Sequence, residues 1–351
     1  MIIIAQRFIE NAKCDHEGDN NMYFNSMMLE ARSQLSDILG SLWAITTYYN
    51  TAKYQQRLAN YRIFRKNLTV PLLTVELSFN TDFELHRDDA DVLVQIQGGS
   101  VLWQKERLLN VGLRRLPQYV TKVAWLDCDI VFANTEWPML AHEALKASPK
   151  VQLFARLYDL ERGESPSNVD LPSRHPSGLS VAYMMATNKW SHDDFRPPST
   201  IRLRHCLFGL AWAARRELLD AHGFYDAMIL GSGDRAMACA AFGRYDDAIH
   251  TLCLDRIRAK HYLEWAEPYY KAIQGNVANL DGVLFHLWHG DLVDRNYVER
   301  HAELSKFSFD PRIDISIAPN GCWVWATRKQ ELHECVRSYF FARNEDGRPE
   351  R

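Results

Sequence analysis

The chain has 351 residues, 47% of them apolar and 24% charged, with a formal net charge of −3. That is enough chain for one large α/β domain or two smaller ones with an ordinary core. Near-neutrality argues against a nucleic-acid footprint, and no apolar run approaches a membrane span.

Met1–Ile4 runs straight into Gln6, Arg7 and Glu10, without the apolar core and small-residue cleavage site of a signal peptide. A soluble, cytoplasmic protein is expected, held at a membrane only peripherally. The seven cysteines are scattered, with no Cys-x-x-Cys pair, and read as reduced small hydrophobes.

Tyr23–Leu39 mixes Met27, Met28, Leu29, Leu35, Ile38 and Leu39 with polar residues, which predicts an amphipathic helix closed by Gly40. Ser41–Tyr49 reads as the first strand, with Asn50 capping a helix over 52–67. Strands follow at Leu72–Phe79 and Asp91–Gln97, then the Gly98-Gly99 turn and a helix from Trp103 to Leu116, broken by Pro117.

Lys122–Phe132 reads as a buried strand interrupted by Asp127 and Asp129. Alternation places two such carboxylates on one face, where they repel. A divalent cation relieves that repulsion, and oxygen ligands suit Mn²⁺ or Mg²⁺; a surface strand end with one Asp capping a turn is the plainer reading.

A surface helix is expected over 136–148, then a proline-rich irregular segment over 158–200, then a strand entering a helix at Gly209–Arg216. In Ile229–Met237, Gly231 and Gly233 permit a tight loop, and Asp234 is either a helix N-cap or a catalytic base. The last apolar strand, Val283–Trp288, brings His286 and His289 to a strand–loop junction, as core histidines or metal ligands. A helix over 294–307 with Arg295, Arg300 and Lys306 exposed, and a tail with a short closing strand at Cys322–Trp325, complete the chain.

This alternation predicts an α/β fold: a mixed, mostly parallel central sheet flanked by helices in one large domain. Ligands of such sheets bind beyond the carboxyl ends of the strands. Asp127 and Asp129 lie there, and so do Thr47, Tyr48 and Tyr49 of the first strand. Lys105 and Arg107 at a helix start can meet a diphosphate, and Trp103 can lie against a base.

The order of these pieces resembles the GT-A (Rossmann-like) glycosyltransferases, most closely the β-1,4-galactosyltransferase-like branch. Trp103, Lys105 and Leu108-Leu-Asn-Val-Gly112 stand where that branch has a Phe, a basic residue and Leu-Leu-Asn-Val-Gly, and Asp127-Cys-Asp129 matches its Asp-x-Asp. Phe208-Gly209 and Gly231-Ser-Gly-Asp234 resemble its Phe-Gly-Gly strand and Gly-Gly-Glu-Asp loop, and His289 its late histidine. The branch has consecutive acids in that loop, whereas Arg235 follows Asp234 here, and its disulfides and membrane anchor have no counterpart.

The resemblance implies a metal-dependent, inverting transfer from a nucleotide-diphosphate sugar, UDP-sugars favoured, to a hydroxyl of a glycan or glycolipid. It implies Asp234 as base and Mn²⁺ (or Mg²⁺) on Asp127, Asp129 and His289, with His286 the alternate. On the donor it implies Thr47, Tyr48, Tyr49, Trp103, Lys105, Arg107, Asn110 and Asp127. Trp212, Gly231, Ser232 and Gly233 fall on the acceptor side. The chain then divides into an N-terminal extension (1–40), a nucleotide-sugar half (41–140), an acceptor and catalytic half (141–310) and a C-terminal tail (311–351).

Two rivals remain. A sugar nucleotidyltransferase would carry a glycine-rich basic loop after the first strand, where this chain has Thr46-Thr-Tyr-Tyr-Asn-Thr51. A non-catalytic carbohydrate-binding protein would have no reason to keep Asp127 and Asp129 in an apolar strand.

Overall fold

The computed structural model describes residues 41–80, 82–195, 206–296 and 299–348. The helix expected over Tyr23–Leu39, the extension 1–40 and the end of the proline-rich segment lie outside them.

Strands β1 (Leu42–Tyr48) and β2 (Leu72–Ser78) are buried along their whole length, which is why they read as unbroken apolar runs. They pair in parallel with each other, and β2 pairs in parallel with β3 (Val92–Gln97). The chain then returns to the other side of β1 as β4 (Lys122–Leu126), also parallel. With β5 (Ile130–Phe132), β6 (Lys150–Gln152), β7 (Arg156–Asp159), β8 (Gly178–Ser180), β9 (Cys206–Leu207), β10 (Ala211–Arg215), β11 (Val277–Asn279) and β12 (Val283–His286), two sheets form. One has the order β11-β6-β10-β4-β1-β2-β3, with only β10 antiparallel to its neighbours; the other has the order β5-β12-β7-β8-β9. The fold is therefore mixed α/β with a mostly parallel central sheet, and residues from Ser41 on cluster as one unit.

Helices α1 (Gln55–Asn67), α2 (Lys105–Leu113), α3 (Trp137–Ala147), α4 (Val181–Ala186), α5 (Arg216–His222), α6 (Gly233–Ala241), α7 (Tyr245–Thr251), α8 (Arg256–Ile273), α9 (Glu299–Ser305) and α10 (Gln330–Phe341) flank the sheets. Helix α1 starts later than expected because Asn50 accepts from the Tyr54 N–H and donates to the Tyr54 carbonyl, both at 2.9 Å, closing a turn before the helix. Helix α2 approaches β2 so closely that a Cβ on Gly112 would lie 3.1 Å from Val75 and 3.2 Å from Leu73. Lys150, the first residue of β6, is 1% exposed, with Nζ 4.3 Å from the ring centre of Trp212, 5.5 Å from that of Trp125 and 5.4 Å from that of Tyr269. Burial pushes its pKa down to about 7.

Three expectations need correction. Lys122–Phe132 is not one strand: β4 ends at Leu126, Asp127–Asp129 is a turn, and β5 joins the other sheet. Face alternation therefore does not relate Asp127 to Asp129. Arg295 and Arg300 are buried, at 1% and 6% exposure, because each finds acceptors inside the protein. Residues beyond Arg312 form the β13 (Ile315–Ile317) and β14 (Trp323–Trp325) pair and α10, and they pack on the body through Tyr54, Arg57 and Arg295.

Candidate functional site

The strand order reverses at β1, with β2 and β3 to one side and the parallel β4 to the other, a switch point at whose carboxyl ends ligands of such sheets bind. The turn crossing it is pinned from both sheets: the Asp127 N–H donates to the Leu210 carbonyl and the Leu287 N–H to the Asp129 carbonyl, each at 2.8 Å.

Asp129 faces the end of β12. His289 Nε2 lies 3.3 Å from Asp129 Oδ2 and 2.9 Å from His286 Nε2, and His286 Nε2 lies 3.9 Å from Asp129 Oδ1. One ligand atom from each of the three lies within 4.8 Å of the others. Asp129 Oδ1 is buried without a hydrogen-bond partner. The Asp159 carboxylate accepts from His286 Nδ1 at 2.7 Å, leaving Nε2 as a lone pair. This carboxylate–imidazole pairing is the usual support of a metal-binding histidine. Arg295 donates to His289 Nδ1 and to the His289 carbonyl. Burial, then Arg295, holds His289 well below the usual histidine range and so uncharged. Two imidazoles and a carboxylate with one orphaned oxygen are a donor set that fits a divalent cation.

Asp127 turns the other way. Lys105 Nζ stands 2.5 Å from Asp127 Oδ1 and 2.7 Å from Asp234 Oδ2. Burial would lower the lysine, but Asp127 and then Asp234 outweigh it and hold Lys105 well above its ordinary value. Burial pushes Asp127 up to about 6 against the pull of Lys105. Asp234 Oδ1 has no hydrogen-bond partner. Gly209 lies against it, so that a Cβ there would be 2.9 Å from Asp234 Oδ2.

The loop into α6 is tucked in. Gly231 has φ of 83° and lies under the Trp103 ring; Ser232 has φ of 72°, and its hydroxyl accepts from Arg300 at 2.6 Å. Gly233 packs against Glu106.

Behind His289, Glu345 is buried and accepts from Arg57 Nε at 2.9 Å, Arg57 NH2 at 2.8 Å, Arg295 NH1 at 3.0 Å and Arg343 Nε at 2.7 Å. Burial would raise this carboxyl, but Arg57 and then Arg343 outweigh it, so Glu345 stays well below the carboxylate range. Arg343 also lies 5.3 Å from the Trp103 ring centre, and Phe340 stacks on that ring at 6.2 Å.

The remaining candidates separate. Tyr49 meets Trp103 edge-on at 6.1 Å, Tyr48, the last residue of β1, donates to Glu84, and Thr47 precedes it in the strand. Arg107 instead pairs with Asp226 at 2.8 Å, while Asn110 accepts from the Phe224 N–H at 2.8 Å and donates to the Phe224 carbonyl at 2.9 Å. Trp212 is 1% exposed, stacked on Trp125, and donates to the Phe208 carbonyl. These three anchor the protein's own loops and core. Asp159, Glu106, Arg57, Arg343 and Glu345 escaped sequence reasoning: no spacing marks them, and their partners lie far away in the chain.

The protein defined by this fold and site is a mixed α/β protein with a His–His–Asp cluster at the mouth of its parallel sheet. No family model and no curated protein sequence matches the chain. Among solved structures it is similar to S. aureus TarS 1–349 in complex with UDP-GlcNAc, at 13% identity and TM-score 0.39 over 78% of this chain and 68% of that one. It is also similar to Mycobacterium tuberculosis glucosyl-3-phosphoglycerate synthase in complex with Mn²⁺, UDP and phosphoglyceric acid, at 14% identity and TM-score 0.35 over 73% and 74%. A third is 4-diphosphocytidyl-2C-methyl-D-erythritol synthase from Anaerococcus prevotii, at 12% identity and TM-score 0.32 over 70% and 89%. Likenesses this distant assign nothing to the chain.

Proposed function

We propose that the protein is a GT-A glycosyltransferase, moving a sugar from a nucleoside-diphosphate donor, UDP-sugars first, to an acceptor hydroxyl with inversion. The observation that carries this reading is the Asp129–His286–His289 cluster set beside the Lys105–Asp127–Asp234 array at the switch point of the sheet. The β-1,4-galactosyltransferase-like branch rests on the sequence motifs alone.

Asp129, His286 and His289 would hold the cation; two imidazoles and one carboxylate favour Mn²⁺ over Mg²⁺. When bound, it would supply Lewis-acid stabilisation of the departing diphosphate. Lys105 adds a fixed positive charge beside Asp127 where that negative charge grows. Asp234 takes the acceptor proton on Oδ1, since Oδ2 is occupied by Lys105. Attack from that side, opposite the leaving group, inverts the anomeric carbon.

The absence of a glycine loop after β1 disfavours nucleotidyl transfer. The test is Mn²⁺ titration calorimetry of wild type and Asp129→Asn, followed by a UDP-sugar panel read by UDP release. Wild type should bind one Mn²⁺ and release UDP; Asp129→Asn should do neither. Pyrophosphate exchange without UDP release, or full turnover in the variant, overturns the reading.

A further inference from the structure

Glu106 is the second residue of α2, next to the lysine that bridges Asp127 and Asp234. It is 2% exposed, and its Oε1 has no hydrogen-bond partner. A Cβ built on Gly233 would lie 2.4 Å from that oxygen and 2.4 Å from Glu106 Cδ. The carboxyl is thus pressed against the first residue of α6, one residue from Asp234. No ion pair of Glu106 exists among the described residues. The charged and titratable groups facing it are Lys105 on its own helix, Asp127 beyond β4, Asp234 on α6 and Tyr49 after β1. Lys105 already serves both aspartates, so an ionised Glu106 would be a third negative charge around one ammonium.

We propose that Glu106 is a positioning residue that works as an uncharged carboxylic acid, a wedge against Gly233 that fixes where α6 begins and so where Asp234 points. Its ionisation disables the site, because the new charge competes for Lys105 and repels an anionic donor. Burial pushes Glu106 up to about 8, against the pull of Lys105 and with Asp234 adding to the rise. The acid is therefore protonated at neutral pH and ionises in mild alkali. This deepens the transferase reading above and rests on it for the activity readout only.

Two measurements test it on wild type, Glu106→Gln and Glu106→Ala. The first is Mn²⁺-dependent UDP release from UDP-sugars between pH 6 and pH 9.5. Wild type should lose activity above about pH 8, Glu106→Gln should keep neutral turnover within about threefold and lose that alkaline fall, and Glu106→Ala should be slowed about 10- to 100-fold throughout. The second is melting temperature against pH, which needs no substrate. The unfolded chain ionises Glu106 from about pH 4.5 and the folded one from about pH 8, so wild type loses stability over that window and Glu106→Gln does not. The gap in melting temperature should open from pH 5 to pH 8 and then stay constant. Parallel curves overturn the proposal, as does an alkaline limb unchanged in Glu106→Gln, or a Glu106→Gln variant as slow as Glu106→Ala. If wild type turns over no UDP-sugar, the transferase reading fails and the melting curves alone decide the state of Glu106.

Discussion

Lys105→Met removes the ammonium that Asp127 and Asp234 share at 2.5 and 2.7 Å. With charge centres roughly 3.5 Å apart and an effective dielectric of about 20, each pair is worth roughly 5 kcal/mol before desolvation. Deleting one partner of a buried pair lowers stability by about 3–5 kcal/mol. The carboxylates left behind are only 26% and 17% exposed, so water recovers little of that. Asp127, already pushed up to about 6 by burial, should bind its proton roughly a hundredfold more tightly still. A carboxyl whose folded pKa lies above its unfolded value contributes stability at low pH and loses it as pH rises through the folded value. The deficit of the variant should therefore reach about 3–5 kcal/mol at pH 8 and shrink at pH 5, where a proton on Asp127 stands in for the lysine. Urea unfolding at the two pH values measures it, with an unchanged denaturant slope. A deficit that is the same at both, or larger in acid, refutes the shared-lysine argument.

Asp159→Asn takes away the carboxylate that orients His286 and should weaken Mn²⁺ binding about 10- to 100-fold in calorimetry; equal affinity in the variant shows that the His286 ring is set by something else. Lys150→Met removes a buried ammonium that burial pushes down to about 7. Between that value and its ordinary 10.5 the unfolded chain binds the extra proton, so wild type gains stability as pH rises across the window. After allowing for cation–π contact with three rings, the variant should be about 2–3 kcal/mol more stable at pH 7, with a flatter pH dependence. A variant that is less stable at pH 7 means the aromatic cage outweighs burial.

The central sheet was legible because β1, β2 and β4 are buried on both faces and read as plain apolar runs. The break inside Lys122–Phe132 was not, because Leu126 and Ile130 are equally apolar on either side of a turn that only the second sheet explains. Asp129 and His289 stood out as polar residues at the ends of such runs, and the structure sets them side by side. The guanidinium shell was invisible: arginine normally signals solvent, and Arg295 is buried because Glu345, fifty positions later, and His289 meet it. Asn110 and Gly112 belong to the most specific motif in the chain, yet they hold the Phe224 backbone and the helix–sheet contact.

The segment after α10 does one more thing. Asp346 accepts from the Gln55 N–H at 3.1 Å and the Gln56 N–H at 2.7 Å, while Glu345 ties down Arg57 across 288 positions of sequence. A polypeptide interrupted near residue 338 would hold every ligand of the His–His–Asp corner, yet leave Arg57 and Arg295 without their shared counter-charge and the first helix uncapped. Assembly of that corner must wait until residue 345 has been made, and contacts of such reach form slowly. Nascent or clipped protein should therefore be open to proteases at α1 until this closure is complete.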